Sequence, residues 1–363
     1  METQTIYLIG AYGFTAKLIA KALCGAQISF IPVGRDALKL AAFCDQMQLE
    51  PNFIVADVLS EADLQFIQSK DIVINCAGPF NQFAPTLIAV CVERGAHYID
   101  LTGEQAIVHD SYLHYKQNAR QKQLCLLHSM AFESALADLL LSCALTTLKE
   151  AEIVSVNSYY WLGSQQMSPG TKLTMKLANY AANFIIEDKQ LHPFAQQKAA
   201  PLVDIPFEAA RIVPYPEVIF AFQRCAPQSG ASHFLLEANS NMAFAGSMLK
   251  TNQQTDSAQI QTMITRFKQL PHQGPNEAER AQQAFELFVR VCTKSQAFIG
   301  HLEGYNMYEI TAALVLLAVQ KLLSGNHPFG VLSPGEFLGQ NGINWLSQNP
   351  FFQLNQVQTN KAS

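Results

Sequence analysis

Ile6–Ala16, IYLIGAYGFTA, decides how the rest of the chain is read. Its apolar start has the composition of a buried strand. It then turns through Gly10-x-x-Gly13-x-x-Ala16 into an apolar-periodic helix predicted over Lys17–Leu23. A glycine-spaced turn between strand and helix leaves backbone N–H groups pointing outward at a helix N-terminus. The helix dipole favours negative charge there, and missing side chains let a diphosphate approach. The stretch is therefore a candidate dinucleotide site, at the first βα turn, where doubly wound folds carry it. The glycines depart from G-x-G-x-x-G in their first spacing, so the surrounding strand and helix carry the assignment.

The second strand extends the argument. Ile28–Val33 is apolar and β-branched and ends in Gly34-Arg35-Asp36. The residue closing strand 2 of such folds faces the adenosine ribose. An acid there binds the 2′-hydroxyl of NAD, and an arginine accommodates the 2′-phosphate of NADP. Arg35 follows the strand directly, and Asp36 reads as the N-cap of a helix over Ala37–Met47, so NADP is expected and NAD is the lesser alternative. The rhythm continues with strands over Asn52–Ala56, Asp71–Asn75, His97–Leu101 and Leu124–His128. Helices are predicted over Ser60–Ser69, Pro85–Arg94 and Glu104–Lys122. Alternation of this kind means a parallel sheet with right-handed crossovers, which place a ligand beyond the carboxyl ends of the strands. Gly10, Arg35, Asp57, Asn75–Phe80 and Asp100–Glu104 all fall at those ends.

After Asp138 the pattern changes. Ala151–Leu162, Val218–Arg224, His233–Asn239 and Phe285–Ala297 read as strands. Lys172–Ile186 and Ser257–Gln269 read as helices, with an irregular Pro-rich stretch over Leu191–Pro216. The expected fold class is α/β: an N-terminal Rossmann doubly wound parallel sheet with a second α+β domain built on a mixed or antiparallel sheet. The expected domains are a dinucleotide-binding domain over 1–135, a central substrate and dimerisation domain over 136–300, and a C-terminal helical return over 301–355 that packs on the first domain. That return holds the apolar helix Tyr308–Leu323. The polar tail from Asn355 to Ser363 is expected to fray.

Composition limits the alternatives. The 363 residues are 49% hydrophobic and only 15% charged, with a net charge of −5, against a typical charged share of about 25%. No basic cluster points to nucleic acid. The eight cysteines form no C-x-x-C pair and read as free thiols of a reducing, cytoplasmic compartment. His109 and His114 are wrongly spaced for a helical metal pair, and no metal is expected. Ala135–Leu145 and Thr311–Leu323 are apolar but shorter than the ~20 residues of a membrane span. A homodimer through the central sheet is expected.

Taken in order, Gly10-x-x-Gly13-Phe14-Thr15, Gly34-Arg35, Asp57-Val58, Asn75-x-Ala77-Gly78-Pro79-Phe80 and His97–Glu104 resemble the saccharopine dehydrogenase-like oxidoreductases. Tyr308-Glu309-x-Thr311-Ala312 and Gly330–Pro334 belong to the same resemblance. That group includes saccharopine reductases and trans-acting enoyl reductases. The resemblance is close over 1–130 and faint from about 150 to 300. It implies a split first domain, an inserted central domain and hydride chemistry with NADP. It implies cofactor contacts at Gly10, Tyr12, Gly13, Phe14, Thr15, Gly34, Arg35, Asp57, Val58, Ala77, Gly78 and Pro79. The chain departs from the family pattern after strand 6, where Ala131–Asp138 lacks a proline and Glu133 replaces an aspartate.

Hydride transfer needs orientation, a dry pocket and a proton donor or acceptor. The candidates at neighbouring strand ends are Asp100, Glu104 and His128, of which His128 titrates nearest neutral pH. Each also has a structural reading: Asp100 as a loop cap, Glu104 as a first-turn acid and His128 as a core histidine. Two functions follow. One is an NADP-dependent oxidoreductase acting on a small or lipid-like substrate. The other is a non-catalytic protein that holds NADP as a structural or sensing ligand.

Overall fold

The computed structural model describes residues 4–149, 152–163, 166–178, 183–194, 205, 207, 209–236, 262, 265 and 274–360. The chain forms two compact units. The first comprises Met1–Thr102, Ile107–Phe132 and Tyr308–Phe337, and the second comprises Gly103–Ala106, Glu133–Met307 and Leu338–Ser363.

The first unit is built on parallel strands β1 (Ile6–Ile9), β2 (Ile31–Gly34), β3 (Ile54–Val55), β4 (Ile72–Asn75), β5 (His97–Asp100) and β6 (Cys125–Leu127). The late strand β14 (Gly330–Leu332) joins them, and the spatial order is β14-β6-β5-β4-β1-β2-β3. This is a doubly wound sheet, and its order reverses between β1 and β4, where such sheets open a crevice. Strands β1, β4 and β5 are buried throughout, as expected of parallel strands covered on both faces. Helix α1 (Phe14–Gly25) buries Ala16, Ile19, Ala20 and Leu23, one stripe at helical spacing. Helices α2 (Ala37–Met47), α3 (Phe80–Arg94) and α4 (Gln105–Gln121) follow their strands. His97 is buried with Nδ1 accepting the Cys125 N–H at 3.1 Å. Burial, with His327 nearby, pushes its imidazole down to about 4, so the ring stays neutral.

One predicted helix of this unit is not formed. Ser60–Ser69 is a series of turns whose backbone bonds run from i to i−3, as in Asp63 N to Ser60 O and Leu64 N to Glu61 O. Asp57, Ser60 and Asp63 side chains capture backbone N–H groups there and compete with helical bonding.

The second unit carries a mixed eight-stranded sheet among the described residues. Its strands are β7 (Ser155–Leu162), β8 (Phe184–Glu187), β9 (Gln190–Pro193), β10 (Ala209–Val213), β11 (Ser229–Leu236), β12 (Phe285–Cys292), β13 (Gln296–Gly304) and β15 (Phe352–Asn360). The order is β15-β13-β12-β7-β11-β8-β9, with β10 pairing β11. Only the β7–β11 pair in this sheet is parallel. One face carries helices α5 (Phe132–Leu148) and α7 (Glu217–Cys225). A Cβ on Gly300 of β13 would stand 2.9 Å from Leu140 of α5, which marks how closely that helix lies on the sheet. Along the other face Phe288 stacks on His301 with centroids 4.1 Å apart, and Tyr159 stacks on His233 at 4.6 Å.

Several expectations change here. Val218–Arg224 is helical, because Glu217 supplies a first-turn acid and the apolar residues serve one helix face, with Val218, Ile219, Phe220 and Ala221 buried. Phe285–Ala297 is two strands of a hairpin. Thr293 closes the turn, its hydroxyl accepting the N–H groups of Ser295 and Gln296. The polar tail is strand β15, paired with β13 from Phe352 to Asn360. The return expected over 301–355 is divided, since Tyr308–Phe337 joins the first unit and the residues from Leu338 onward join the second. Within Lys172–Ile186, helix α6 (Pro169–Ala178) is followed by β8. The helix expected over Ser257–Gln269 lies outside the described residues apart from Thr262 and Thr265.

Candidate functional site

The carboxyl edge of the first sheet brings the glycine turn, the Gly34-Arg35 corner and the Cys76–Pro79 turn together. Gly10 adopts φ +71°, which favours glycine, and a Cβ there would meet Ala77 N, Cα and Cβ at 3.2–3.3 Å. The Gly10 and Ala11 N–H groups both reach Val33 O, at 2.9 and 3.3 Å, so the turn is tied to the end of β2. Gly13 is the N-cap of α1. It offers no side-chain cap, and the first turn carries no acidic residue. The helix, with Phe14 and Thr15 as its first two residues, thus begins with no side-chain cap, and its positive dipole end favours an external anion.

At the end of β2, Gly34 makes room for Tyr12, since a Cβ would stand 2.6 Å from the ring. Arg35 is exposed, with its guanidinium 5.5 Å from the centre of the Phe83 ring. Asp36 is the N-cap of α2, accepting from Leu38 and Lys39 N–H. Capping occupies this carboxylate and leaves Arg35 as the charged group presented beside the turn. Asp57 closes a turn by accepting the Leu59 N–H, and Val58 is buried next to it.

Strands β4, β5 and β6 end in a buried polar cluster. The Asn75 side chain accepts the Ala77 N–H at 3.0 Å and donates to the Tyr98 hydroxyl at 2.9 Å. Gly78 and Pro79 follow, with Pro79 as the N-cap of α3. Asp100 accepts Thr102 and Ser129 N–H on Oδ1, at 3.1 and 2.8 Å, and meets His128 Nδ1 through Oδ2 at 2.8 Å. Both Asp100 and His128 are fully buried. Tyr98 hydrogen-bonds Asp100, and burial together with that carboxylate raises its hydroxyl well above the ordinary tyrosine range. The predicted pair Asp100–His128 is therefore in contact. Glu104 is buried but belongs to the second unit. Asn75 and Tyr98 complete the cluster; the sequence placed both in strand-end motifs but gave no sign that they bond to each other.

The second unit holds a polar cluster of its own. Glu217 accepts hydroxyl bonds from Ser158, Tyr160 and Ser232 on Oε1 at 2.6–2.7 Å and from Ser134 on Oε2 at 2.9 Å. Glu133, the residue that departs from the family pattern, opens α5, and its carboxyl is pushed up to about 6 by burial and by the nearby Glu217. Asp138 and Arg224 form a buried ion pair between α5 and α7.

Residues 6–127 match the family model described as the saccharopine dehydrogenase NADP binding domain. A bovine saccharopine dehydrogenase-like oxidoreductase is 26% identical over 152 residues, which span 37% of this chain and 35% of that protein. A Caenorhabditis elegans lipid droplet localized protein is 25% identical over 151 residues, 38% of this chain and 35% of its own length. The chain thus aligns with well under two thirds of the curated relatives it matches. The solved structure of apo saccharopine dehydrogenase (L-Glu forming) from Saccharomyces cerevisiae covers 98% of this chain and 100% of its own. Its TM-score is 0.61 at 11% identity, which shows the fold.

The turn after β1 suits a dinucleotide, because α1 begins with no side-chain cap and no acid in its first turn, and its positive dipole end favours a diphosphate. Gly10→Ala combines a left-handed backbone with contact on Ala77. We expect it to lower unfolding stability by about 1–3 kcal/mol in a denaturant titration and to weaken NADPH binding by roughly tenfold or more. Binding within about twofold of wild type would contradict this account of the turn.

Proposed function

We propose that this protein is an NADP-dependent oxidoreductase that moves a hydride to or from a small or lipid-like substrate. The observation that carries the proposal is the Gly10–Arg35 corner, where an uncapped helix N-terminus, a glycine-lined turn and a presented guanidinium stand at the switch point of a doubly wound sheet. In this reading the turn of Tyr12, Gly13, Phe14 and Thr15 lies against the diphosphate, and Arg35 holds the 2′-phosphate. Asp57 and Val58 border the adenosine, and Ala77, Gly78 and Pro79 run beneath the nicotinamide. When bound, NADP supplies the hydride acceptor or, in its reduced form, the donor. The protein's own part is to exclude water and handle the accompanying proton. Of the three acid–base candidates, Asp100 and His128 are joined by a hydrogen bond at 2.8 Å, which favours them over Glu104 for that task.

The low charged fraction supports an apolar substrate over a multiply charged one. No helix among the described residues is long and apolar enough to cross a membrane. The eight free cysteines support a reducing, cytoplasmic setting, and the net charge of −5 speaks against nucleic acid as a partner.

The cofactor reading is tested by titrating wild type and Arg35→Ala with NADPH and with NADH. Wild type is expected to prefer NADPH, and the variant to lose about tenfold or more in NADPH affinity while binding NADH as before. Equal binding of both nucleotides, unchanged in the variant, would refute the role of Arg35. A homodimer through the second sheet completes the proposal. Sedimentation at micromolar concentration should give twice the 40.1 kDa chain mass, and a monomer would refute it.

A further inference from the structure

The cluster at the ends of β4, β5 and β6 is a directed chain of hydrogen bonds. Asn75 is anchored by the Ala77 N–H, and its amide donates to Tyr98. Tyr98 bonds to Asp100, which also meets His128 Nδ1. The orientation of Asp100 is fixed by two backbone N–H groups on Oδ1, from Thr102 and Ser129. An ionised carboxylate only accepts, so Nδ1 carries the proton on the side facing it. In the neutral imidazole Nε2 is then a bare acceptor. That atom is buried and has no hydrogen-bond partner among the described residues, on a side chain with no exposed surface. A buried acceptor left unmet costs about 1–3 kcal/mol, and this one lies at a carboxyl strand end of the parallel sheet, where doubly wound folds place their ligands.

We propose that the Asn75–Tyr98–Asp100 chain holds His128 in the Nδ1–H tautomer, so that Nε2 is the acceptor that receives an N–H or O–H of the bound ligand at the nicotinamide end. Asp100, Tyr98 and Asn75 are positioning residues in this scheme. Because Asn75 also holds the Cys76–Pro79 turn, the backbone proposed to run beneath the nicotinamide and the ring that meets the ligand are set by one network. The identity of that ligand rests on the NADP-dependent reading above; the tautomer does not.

Histidine-labelled protein, full length and without ligand, tests the tautomer by two-bond ¹⁵N–¹H correlation. His128 is expected to show a protonated Nδ1 and a bare Nε2 at neutral pH. In Asp100→Asn the amide must turn its Nδ2–H groups to the ring, since the Thr102 and Ser129 N–H groups still claim the oxygen, and the proton is expected to move to Nε2. A wild-type ring protonated at Nε2, or an unchanged tautomer in Asp100→Asn, would overturn the proposal.

Tyr98→Phe gives a second test that a general loss of stability does not imitate. It should keep the tautomer and weaken NADPH by about three- to tenfold, while 2′,5′-ADP, which lacks the nicotinamide, binds as before. Equal loss for both ligands, or none for NADPH, would overturn the positioning role. On adding saturating NADPH to wild type, the His128 Nε2 resonance is expected to shift, and an unmoved Nε2 at saturation would contradict its facing that end. If wild type binds no NADPH at all, the oxidoreductase reading fails, and the tautomer result still decides the network by itself.

Discussion

Gly10 stands against Ala77 with no space for a side chain, and the first unit's binding edge depends on that approach. It brings the turn after β1 onto the turn after β4 at the place where the strand order reverses. Three consequences meet there. The Gly10 and Ala11 N–H groups are spent on Val33, so the end of β2 and its Arg35 are held beside the turn. The N-terminus of α1, without a side-chain cap, places the positive end of its dipole at this turn. The Ala77 N–H is held by Asn75, which carries the constraint onward through Tyr98 to Asp100 and His128. A backbone contact at one turn thus organises both the Gly10–Arg35 corner and the buried Asp100–His128 pair.

Much of this was legible in the amino-acid order. Parallel strands buried on both faces are largely apolar runs, and β1, β4 and β5 could be read because each is a short run of that kind closed by Gly, Asn or Asp. The helix N-cap at Asp36 was visible because a capping side chain acts within three residues of its own position. Ser60–Ser69 was not, since its polar side chains compete for the same backbone groups that a helix uses. The bond between Asn75 and Tyr98 was not legible for a different reason: the two lie 23 residues apart on neighbouring strands, and spacing along the chain holds no trace of that register.

The second unit was harder to read because its order comes from across the sheet. Val218–Arg224 has the apolar content of a strand, and its helical state follows from Glu217, which gathers hydroxyl donors from α5, β7 and β11. One carboxylate satisfied by four hydroxyls explains why a charged residue is buried at the start of α7. β15 looked like a loose polar tail because an edge strand needs no apolar face. Its pairing with β13 is main-chain bonding, which polar residues such as Gln353, Asn355 and Gln356 make as readily as apolar ones. Glu133 stands between the two descriptions. It departs from the family pattern, and burial with Glu217 nearby raises its carboxyl to about 6.

Hydrogen–deuterium exchange of the full chain with and without NADPH tests the central claim most directly, because it reads where the nucleotide lies without assuming a substrate. The account predicts added protection in peptides covering residues 10–16, 34–39, 76–80 and 125–130. Protection absent from the first two of these, or confined to the Glu217 cluster of the second unit, would contradict it.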